Sequence, residues 1–160
     1  MAQPRLTATE DAAWRGFLRT HELIWAELER RLDPLGVSMA EYSALALLAE
    51  AGSGGMSMSQ LAEQRLMSSS GFSRLADRLE RRGLIERRRS ERDGRSFDAI
   101  LTGAGRALLK TAWHQHHADL RETFFDALSD EDLERLAEIW ERLRPAVREH
   151  DDGSAGTASS

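Results

Sequence analysis

The sequence predicts a mainly α-helical fold with one small β-hairpin. Apolar residues recur every three to four positions in long segments near both ends of the chain, at about 9–32 and 129–147. Shorter segments with the same periodicity lie between them. The dipeptide Asp93-Gly94 separates two short segments of alternating character, which is typical of a tight hairpin turn.

The first helix is predicted from Thr9 to Leu32, and Asp33-Pro34-Leu35-Gly36 ends it. Its apolar stripe alternates between spacings of four and three: Trp14, Leu18, His21, Trp25, Leu28 and Leu32. A second helix begins at Ser38, an N-cap whose capping box is completed by Glu41. Its apolar face contains Tyr42, Leu45, Leu48 and Ala49, and the loop 51–55 ends it.

A third, short helix starts near Ser57, with a capping-box spacing to Gln60. The serines at 68–70 supply N-cap candidates for a fourth helix, which Gly83 ends. The inner face of this fourth helix comprises Phe72, Leu75, Ala76 and Leu79. Two short helices joined by a tight turn, the second bearing arginines, predict a helix-turn-helix.

The hairpin follows this helix pair directly, with strands at Leu84–Arg89 and Arg95–Leu101. The residues predicted to point inward are Ile85, Phe97, Ala99 and Leu101. A hairpin in this position is a wing. Thr102 caps a long fifth helix over Gly103–Leu128, and Ser129 begins a sixth, which Pro145 is expected to end or fray.

Positive charge is concentrated around the predicted wing. The segment 65–95 holds ten arginines and no lysine against five acidic residues, a net charge of +5. The whole chain has a net charge of −5, so the rest carries −10. A phosphate backbone responds to the local field of such a patch, which predicts double-stranded DNA as the partner.

The length, composition and motifs of the chain exclude several classes of protein. A chain of 160 residues predicts one domain over about 1–150, with a disordered tail at 151–160. The absence of cysteine excludes disulfides and thiolate zinc sites. No apolar stretch approaches the roughly 20 residues of a membrane span and no signal peptide is evident, so a cytoplasmic location without membrane contact is expected. No Gly-rich phosphate loop, nucleophile elbow or HExxH occurs, so no enzyme is predicted.

The segment from Asp93 to Gly105 resembles the MarR family of bacterial transcription regulators. It contains that family's Asp-x-Arg, an alternating strand and Leu-Thr-x-x-Gly, and the stretch from Arg74 to Arg87 is similar to the family's recognition helix and first wing strand. The resemblance implies a winged helix-turn-helix lobe at about 38–101 and a helical dimerisation region at about 9–33 and 103–148. It also implies an obligate homodimer, repression by default and a pseudo-palindromic operator with half-sites about 34–36 Å apart.

The apolar stripes support a dimer independently of the resemblance. The first and sixth helices carry Trp14, Trp25 and Trp140 on stripes longer than one small lobe can cover. These helices are therefore expected to interleave with those of a second copy.

The DNA-binding prediction names residues at both ends of the basic segment. Hydroxyls at the start of the recognition helix are expected on phosphates or base edges, with helix capping as the alternative for each: Ser68, Ser69, Ser70 and Ser73. Arg74 extends to a guanine edge or a phosphate. By analogy with the family, Arg95 enters the minor groove, Asp93 fixes the wing loop, and Arg89 and Arg92 bind phosphates.

The other helix arginines have a simpler interpretation. Arg78, Arg81 and Arg82 are expected on a solvated face, paired with Asp77 and Glu80.

The resemblance also implies an effector pocket between the dimer helices and the winged lobe. His21 beside Arg15, Trp14 and Trp25 suits a small aromatic carboxylate, because a guanidinium binds the acid while indoles cover the ring. Tyr42 and Trp113 are weaker candidates. The alternative leaves Arg15 solvated and His21 as a hydrogen-bonded core residue. A ligand-independent architectural DNA-binding protein remains a further possibility.

A zinc-responsive regulator is also considered. His114 and His117 are three residues apart on a helix and can share one ion with Glu41 and His21. Histidines on a helix surface are commoner than metal sites, so neither a metal nor a cofactor is predicted.

Overall fold

The computed structural model describes residues 5–64, 69–90 and 96–148. The elements follow the predicted order: α1 Ala8–Leu32, α2 Met39–Ala51, β1 Met56–Ser57, α3 Met58–Gln64, α4 Ser69–Arg81, β2 Ile85–Arg89, β3 Phe97–Leu101, α5 Gly103–Thr123 and α6 Asp130–Arg148. The predicted fold class, mainly helical with a small wing, is confirmed. Asp93, Gly94 and the tail 151–160 lie outside the described residues.

Helix starts follow the local capping signals. At α2, the Ser38 side chain accepts from the Glu41 N–H at 3.1 Å and Glu41 accepts from the Ser38 N–H at 3.2 Å. Ser57 and Gln60 form the same reciprocal pair before α3, at 3.2 Å in both directions. Each box satisfies two N–H groups that the helix itself leaves unpaired. Both predicted capping boxes are therefore confirmed.

The sheet has a third strand that the sequence did not predict. β3 lies in the centre of an antiparallel sheet of order β1-β3-β2, with Met56 paired to Ala99 and Ser57 to Asp98. Two residues are too few to show an alternating pattern. Gly55, at φ +65°, precedes β1, and a Cβ there would lie 2.4 Å from the Ala99 carbonyl oxygen. The close approach of β1 to β3 therefore requires glycine at this position.

Two details of burial differ from prediction. Phe97 was expected to point inward, but it is 50% exposed. Phe97 pairs with β2 alone, beyond the last residue that β1 reaches, so the core does not extend to it. Asp98 and Ala99 have a strand on both sides, and every residue from Asp98 to Leu101 is buried. On α2, Ala49 is exposed although it was placed on the apolar face.

Two helix ends were also predicted wrongly. α5 ends at Thr123 and not at Leu128, because Phe124 leaves helical geometry at φ −134° and a short 3-10 turn follows at Phe125–Ala127. α6 continues through Pro145 to Arg148. Proline removes a single N–H donor, and in the final turn only three residues follow it, so the helix does not end there.

The core forms on the inner faces of α2, α3 and α4 against the sheet. The predicted inner face of α4 is confirmed, since Phe72, Leu75, Ala76 and Leu79 are each at most 2% exposed. The backbone divides into two compact units within α5, after Leu120. The first contains α1 to α4, the sheet and most of α5, and the second contains the end of α5 and α6. Among the described residues, no helix is long and apolar enough to cross a membrane.

Candidate nucleic-acid interface and effector residues

The N-terminal part of α4 presents polar side chains to solvent. Ser70, Ser73 and Arg74 are exposed, whereas Phe72 and Leu75 between them are buried. Helical periodicity therefore separates a packing face from a polar face on the same two turns. Ser69 is the first residue of α4, and Ser68 lies outside the described residues.

Most arginines near α4 are paired with acids, but with different partners from those predicted. Arg82 Nη1 lies 2.9 Å from Glu41 Oε2, and Arg78 Nε lies 3.7 Å from Glu41 Oε1. The expected partners of Arg78 and Arg82, Asp77 and Glu80, are therefore wrong. The signal for Glu41 was in the sequence, because it stands four and seven residues before two apolar positions on one face of α2.

The acids of α4 pair instead with the wing. Arg87 on β2 lies 2.5 Å from Asp77 and 3.6 Å from Glu80. Arg81 Nε donates to the Asp77 carbonyl oxygen at 3.2 Å, and Arg88 pairs with Glu86. Arg87 and Arg88 are therefore paired with carboxylates, and Arg81 is hydrogen-bonded to the backbone.

The side chains of two arginines of the described part of 69–90 make neither an ion pair nor a hydrogen bond with other described residues, unlike Arg81, which donates to a backbone carbonyl. Arg74 at the start of α4 and Arg89 at the outer end of β2 are exposed and have no acidic partner among the described residues. Such guanidinium groups retain their full capacity for phosphate oxygens or guanine edges. Arg92, Asp93 and Arg95 lie outside the described residues.

One side of α1 carries a continuous series of exposed aromatic rings. The rings of Trp14, Phe17, His21 and Trp25 stack in order, with centroid separations of 5.8, 6.2 and 5.9 Å. Trp14, Phe17 and Trp25 are 54%, 45% and 41% exposed. His21 is also exposed, so its interpretation as a core residue is wrong. Phe17 was missed, although it lies three residues after Trp14 on the same stripe.

The other effector candidates lie elsewhere. Arg15 pairs with Asp11 at 2.8 Å, and its side chain is 77% exposed. Trp113 is exposed on α5 and packs against His117 with centroids 3.9 Å apart. Tyr42 is buried and does not share the aromatic face of α1. The structure therefore places the six predicted ligand residues in separate groups.

Tyr42 packs against a buried histidine that the sequence did not single out. The rings of Tyr42 and His116 are 4.5 Å apart, and each residue is 7% exposed. In the part of the chain that the structure describes, His116 Nδ1 has no hydrogen-bond partner. Burial lowers the pKa of His116 and the neighbouring His117 lowers it further, while Asp119 acts in the opposite direction. Burial also raises the pKa of Tyr42.

The structure gives no support to a zinc site. In the described part of the chain, no group of three or more histidine or acidic residues could hold a metal ion. Glu41 is held by Arg82, and His21 lies between two aromatic rings.

A cleft of about 340 Å³ lies at the base of the wing. It is lined by Arg88, Arg106 and six further residues, none of them among the predicted ligand residues.

Comparison with known proteins identifies the family. A family model described as MarR family matches residues 35–96. The HTH-type transcriptional repressor Rv2887 of Mycobacterium tuberculosis is 34% identical over 104 residues, which are 64% of this chain and 73% of the relative. The chain belongs to the MarR family. Transcriptional regulation through DNA binding is thus its class of function, and the relatives compared are regulators and not enzymes.

Two solved structures extend this comparison for the MarR-family chain. Sco3205, a MarR family transcriptional regulator from Streptomyces coelicolor solved in complex with DNA, is 30% identical with a TM-score of 0.84, over 91% of this chain and 92% of that one. CouR from Rhodococcus jostii RHA1, bound to p-coumaroyl-CoA, is 25% identical with a TM-score of 0.71, over 80% and 90% of the two chains.

The Leu-Thr-x-x-Gly string of this MarR-family chain has a direct structural explanation. The Thr102 hydroxyl donates to the Gly83 carbonyl at 2.7 Å and accepts from the Gly105 N–H at 3.0 Å. The Thr102 N–H donates to the Leu84 carbonyl at 3.1 Å. A Cβ at Gly105 would lie 2.1 Å from that Leu84 oxygen. We call these contacts the Thr102 clasp, which joins the segment directly after α4, the wing base and the start of α5.

The lowered pKa of His116 predicts how the stability of this MarR-family chain depends on pH. The unfolded chain binds a proton at His116 more readily than the folded chain, so this residue's contribution is complete above about pH 6.5 and decreases as pH falls below it. We expect His116→Phe, which keeps a ring against Tyr42, to reduce the fall in melting temperature between pH 7 and pH 5.5. The exposed His114→Gln is the control. Equal pH dependence in all three proteins would contradict the assignment.

Proposed function

We propose that the chain is a homodimeric repressor that binds a pseudo-palindromic operator through α4 and the wing and is released by a small ligand, an aromatic carboxylate. The observation that carries the DNA-binding part is a pair of exposed arginines, Arg74 and Arg89. Among the described residues their side chains have neither an ion pair nor a hydrogen bond, whereas the other arginines of the described part of 69–90 are engaged. The DNA complex of Sco3205 and the repressor name of Rv2887 support it. The proposal places the chain in the cytoplasm, where bacterial DNA lies.

The exposed apolar faces support the homodimer. The aromatic face of α1 extends over three turns, and on α6 the side chains of Ile139, Trp140 and Leu143 are 36%, 45% and 49% exposed. An exposed apolar face of this kind on either helix is uncommon on a monomer and marks an interaction site. A second copy is the occupant we propose.

Arg74→Ala tests the DNA-binding part. We expect operator affinity to fall by roughly 5- to 100-fold, because the change removes a guanidinium that has no ion-pair or hydrogen-bond partner among the described residues. Loss of a phosphate contact lowers the salt slope by about one and weakens binding to all sequences alike, whereas loss of a base contact weakens operator binding alone. Fluorescence anisotropy at several salt concentrations separates the two cases.

The matched control is Arg142→Ala, an exposed arginine of α6 without an acidic partner among the described residues. It makes the same change in charge outside the lobe. Unchanged operator affinity and salt slope for Arg74→Ala would contradict the assignment of α4 as the recognition helix.

A panel of aromatic carboxylates and their CoA esters tests the effector. The complex of CouR with p-coumaroyl-CoA motivates the esters. We expect at least one compound to reduce operator affinity tenfold or more, a coupling of ordinary size for such regulators. Arg15→Ala should weaken this response while operator affinity without ligand stays within about twofold, because Arg15 is exposed and outside the stacked aromatic series. Matched uncharged amides control for the carboxylate.

The same panel separates the alternatives. If no aromatic acid, CoA ester or zinc ion alters operator affinity, the ligand-independent architectural protein becomes the better interpretation. A response to zinc alone would instead require ligands outside the described residues.

A further inference from the structure

We propose that Glu41 is a positioning residue, which fixes the recognition helix for specific DNA recognition by holding its C-terminal end against the first turn of α2. The inference rests on the proposed DNA-binding function and deepens it. Glu41 is 7% exposed, and its two carboxylate oxygens face Arg78 of α4 and Arg82, the residue directly after α4. A carboxylate this deeply buried is costly unless it stays paired, so the contact resists separation.

The contacts gather at one end of α4. Arg78 and Arg82 are four residues apart and therefore lie on one side of the helix, the side that meets Glu41. Arg82 is also close to the turn between α1 and α2, since its Nη2 lies 3.9 Å from where a Cβ on Gly36 would stand. The C-terminal end of the recognition helix is therefore anchored between two segments of the first unit.

The DNA-facing residues lie at the opposite end. Ser70 is twelve residues before Arg82, which corresponds to about 18 Å along the helix axis. A pivot of about 10° at the anchored end moves the other end by about 3 Å, as far as a hydrogen bond is long. Arg87 on β2 restrains the helix through Asp77 and Glu80. Without Glu41, that restraint on the wing side acts alone.

The anchor also continues toward α1. The Met39 N–H, in the first turn of α2, donates to Glu29 Oε2 on α1 at 2.7 Å. Glu41 lies in that same turn and accepts from the Ser38 N–H at 3.2 Å. One turn of backbone therefore joins α1, with its aromatic face, to the end of the recognition helix.

Glu41→Gln is the informative variant. Glutamine suits the third position of a capping box as well as glutamate does, so the helix start is preserved. Arg82 is 38% exposed at its side chain and can be solvated once its partner is neutral. The matched control is Glu50→Gln, which makes the same charge change at an exposed position near the other end of α2.

The probes are a duplex selected by the wild-type chain from a random pool and a shuffled duplex of the same composition. Dissociation constants are measured well below the melting temperature of the least stable variant. We expect Glu41→Gln to lower the ratio of selected to shuffled affinity by roughly 5- to 30-fold, without any fall in affinity for the shuffled duplex. Glu50→Gln should leave the ratio within twofold. A role in stability alone would not change this ratio.

Arg82→Gln supplies an independent check. It should lower the same ratio, and the double variant with Glu41→Gln should lower it no further than the more severe single change, because both remove one interaction. An unchanged ratio in folded Glu41→Gln, equal losses on both duplexes, or fully additive effects would overturn the inference. If the wild-type chain selects no duplex at all, the proposed function itself fails.

Discussion

Replacing Trp25 with glutamate should convert the proposed dimer to a monomer and weaken operator binding by roughly 100-fold or more. Trp25 ends the stacked aromatic series of α1 and is 41% exposed in the single chain. In a symmetric dimer each substitution occurs twice, so two charges enter the same apolar interface. A monomer then binds one half-site and loses the gain from linking two lobes. Sedimentation equilibrium and anisotropy measure the two effects.

The control for this change is Ala26→Glu. Ala26 is exposed on α1 but lies well around the helix from the aromatic rings. The Ala26→Glu substitution introduces the same charge and should leave both the proposed dimer and operator affinity unchanged. A Trp25→Glu protein that stays dimeric and binds the operator normally would show that the aromatic face of α1 serves another purpose.

Replacing Gly105 with alanine should destabilise the fold by about 3 kcal/mol, which lowers the melting temperature by about 10 °C in a chain of this size. The added Cβ would lie 2.1 Å from the Leu84 carbonyl oxygen and 2.7 Å from Leu101 Cδ1. The oxygen cannot move away easily, because it accepts hydrogen bonds from both the N–H and the hydroxyl of Thr102. Thermal melting followed by circular dichroism measures the loss.

Gly103→Ala is the matched control in the same helix. Nothing lies within 4 Å of a Cβ at that position. Its melting temperature should stay close to that of the wild type, because alanine has a higher helix propensity than glycine. Equal losses in the two variants would contradict the close approach to Leu84 as the cause.

The features that the sequence predicted well are local. The capping boxes at Ser38 and Ser57 depend on residues three positions apart, and the buried face of α4 depends on spacings of three and four. Such patterns are complete within one or two helical turns. The stripe of α1 was recognised for the same reason, although the pattern does not say whether it meets the core of its own chain or another surface.

The features that were missed depend on tertiary contacts. β1 has two residues, and only its pairing with β3 makes it a strand. The capping role of Glu41 is local, but its ion-pair partners are Arg78 on α4 and Arg82 directly after it, and Arg82 is 41 positions away. Phe97 alternates correctly with its neighbours, yet burial at the end of a strand depends on where the adjacent strand stops. No local pattern carries this information.

The Thr102 clasp has a consequence for building hybrid regulators. The clasp joins three elements through the carbonyls of Gly83 and Leu84. A junction placed between β3 and α5 therefore separates Thr102 from its hydrogen-bond partners and leaves these groups unpaired. A lobe transplanted together with the first turns of α5 brings these partners along. Crossover points beyond Leu109, inside regular helix, should therefore yield well-folded chimeras, and crossovers at Gly103 should yield unstable ones.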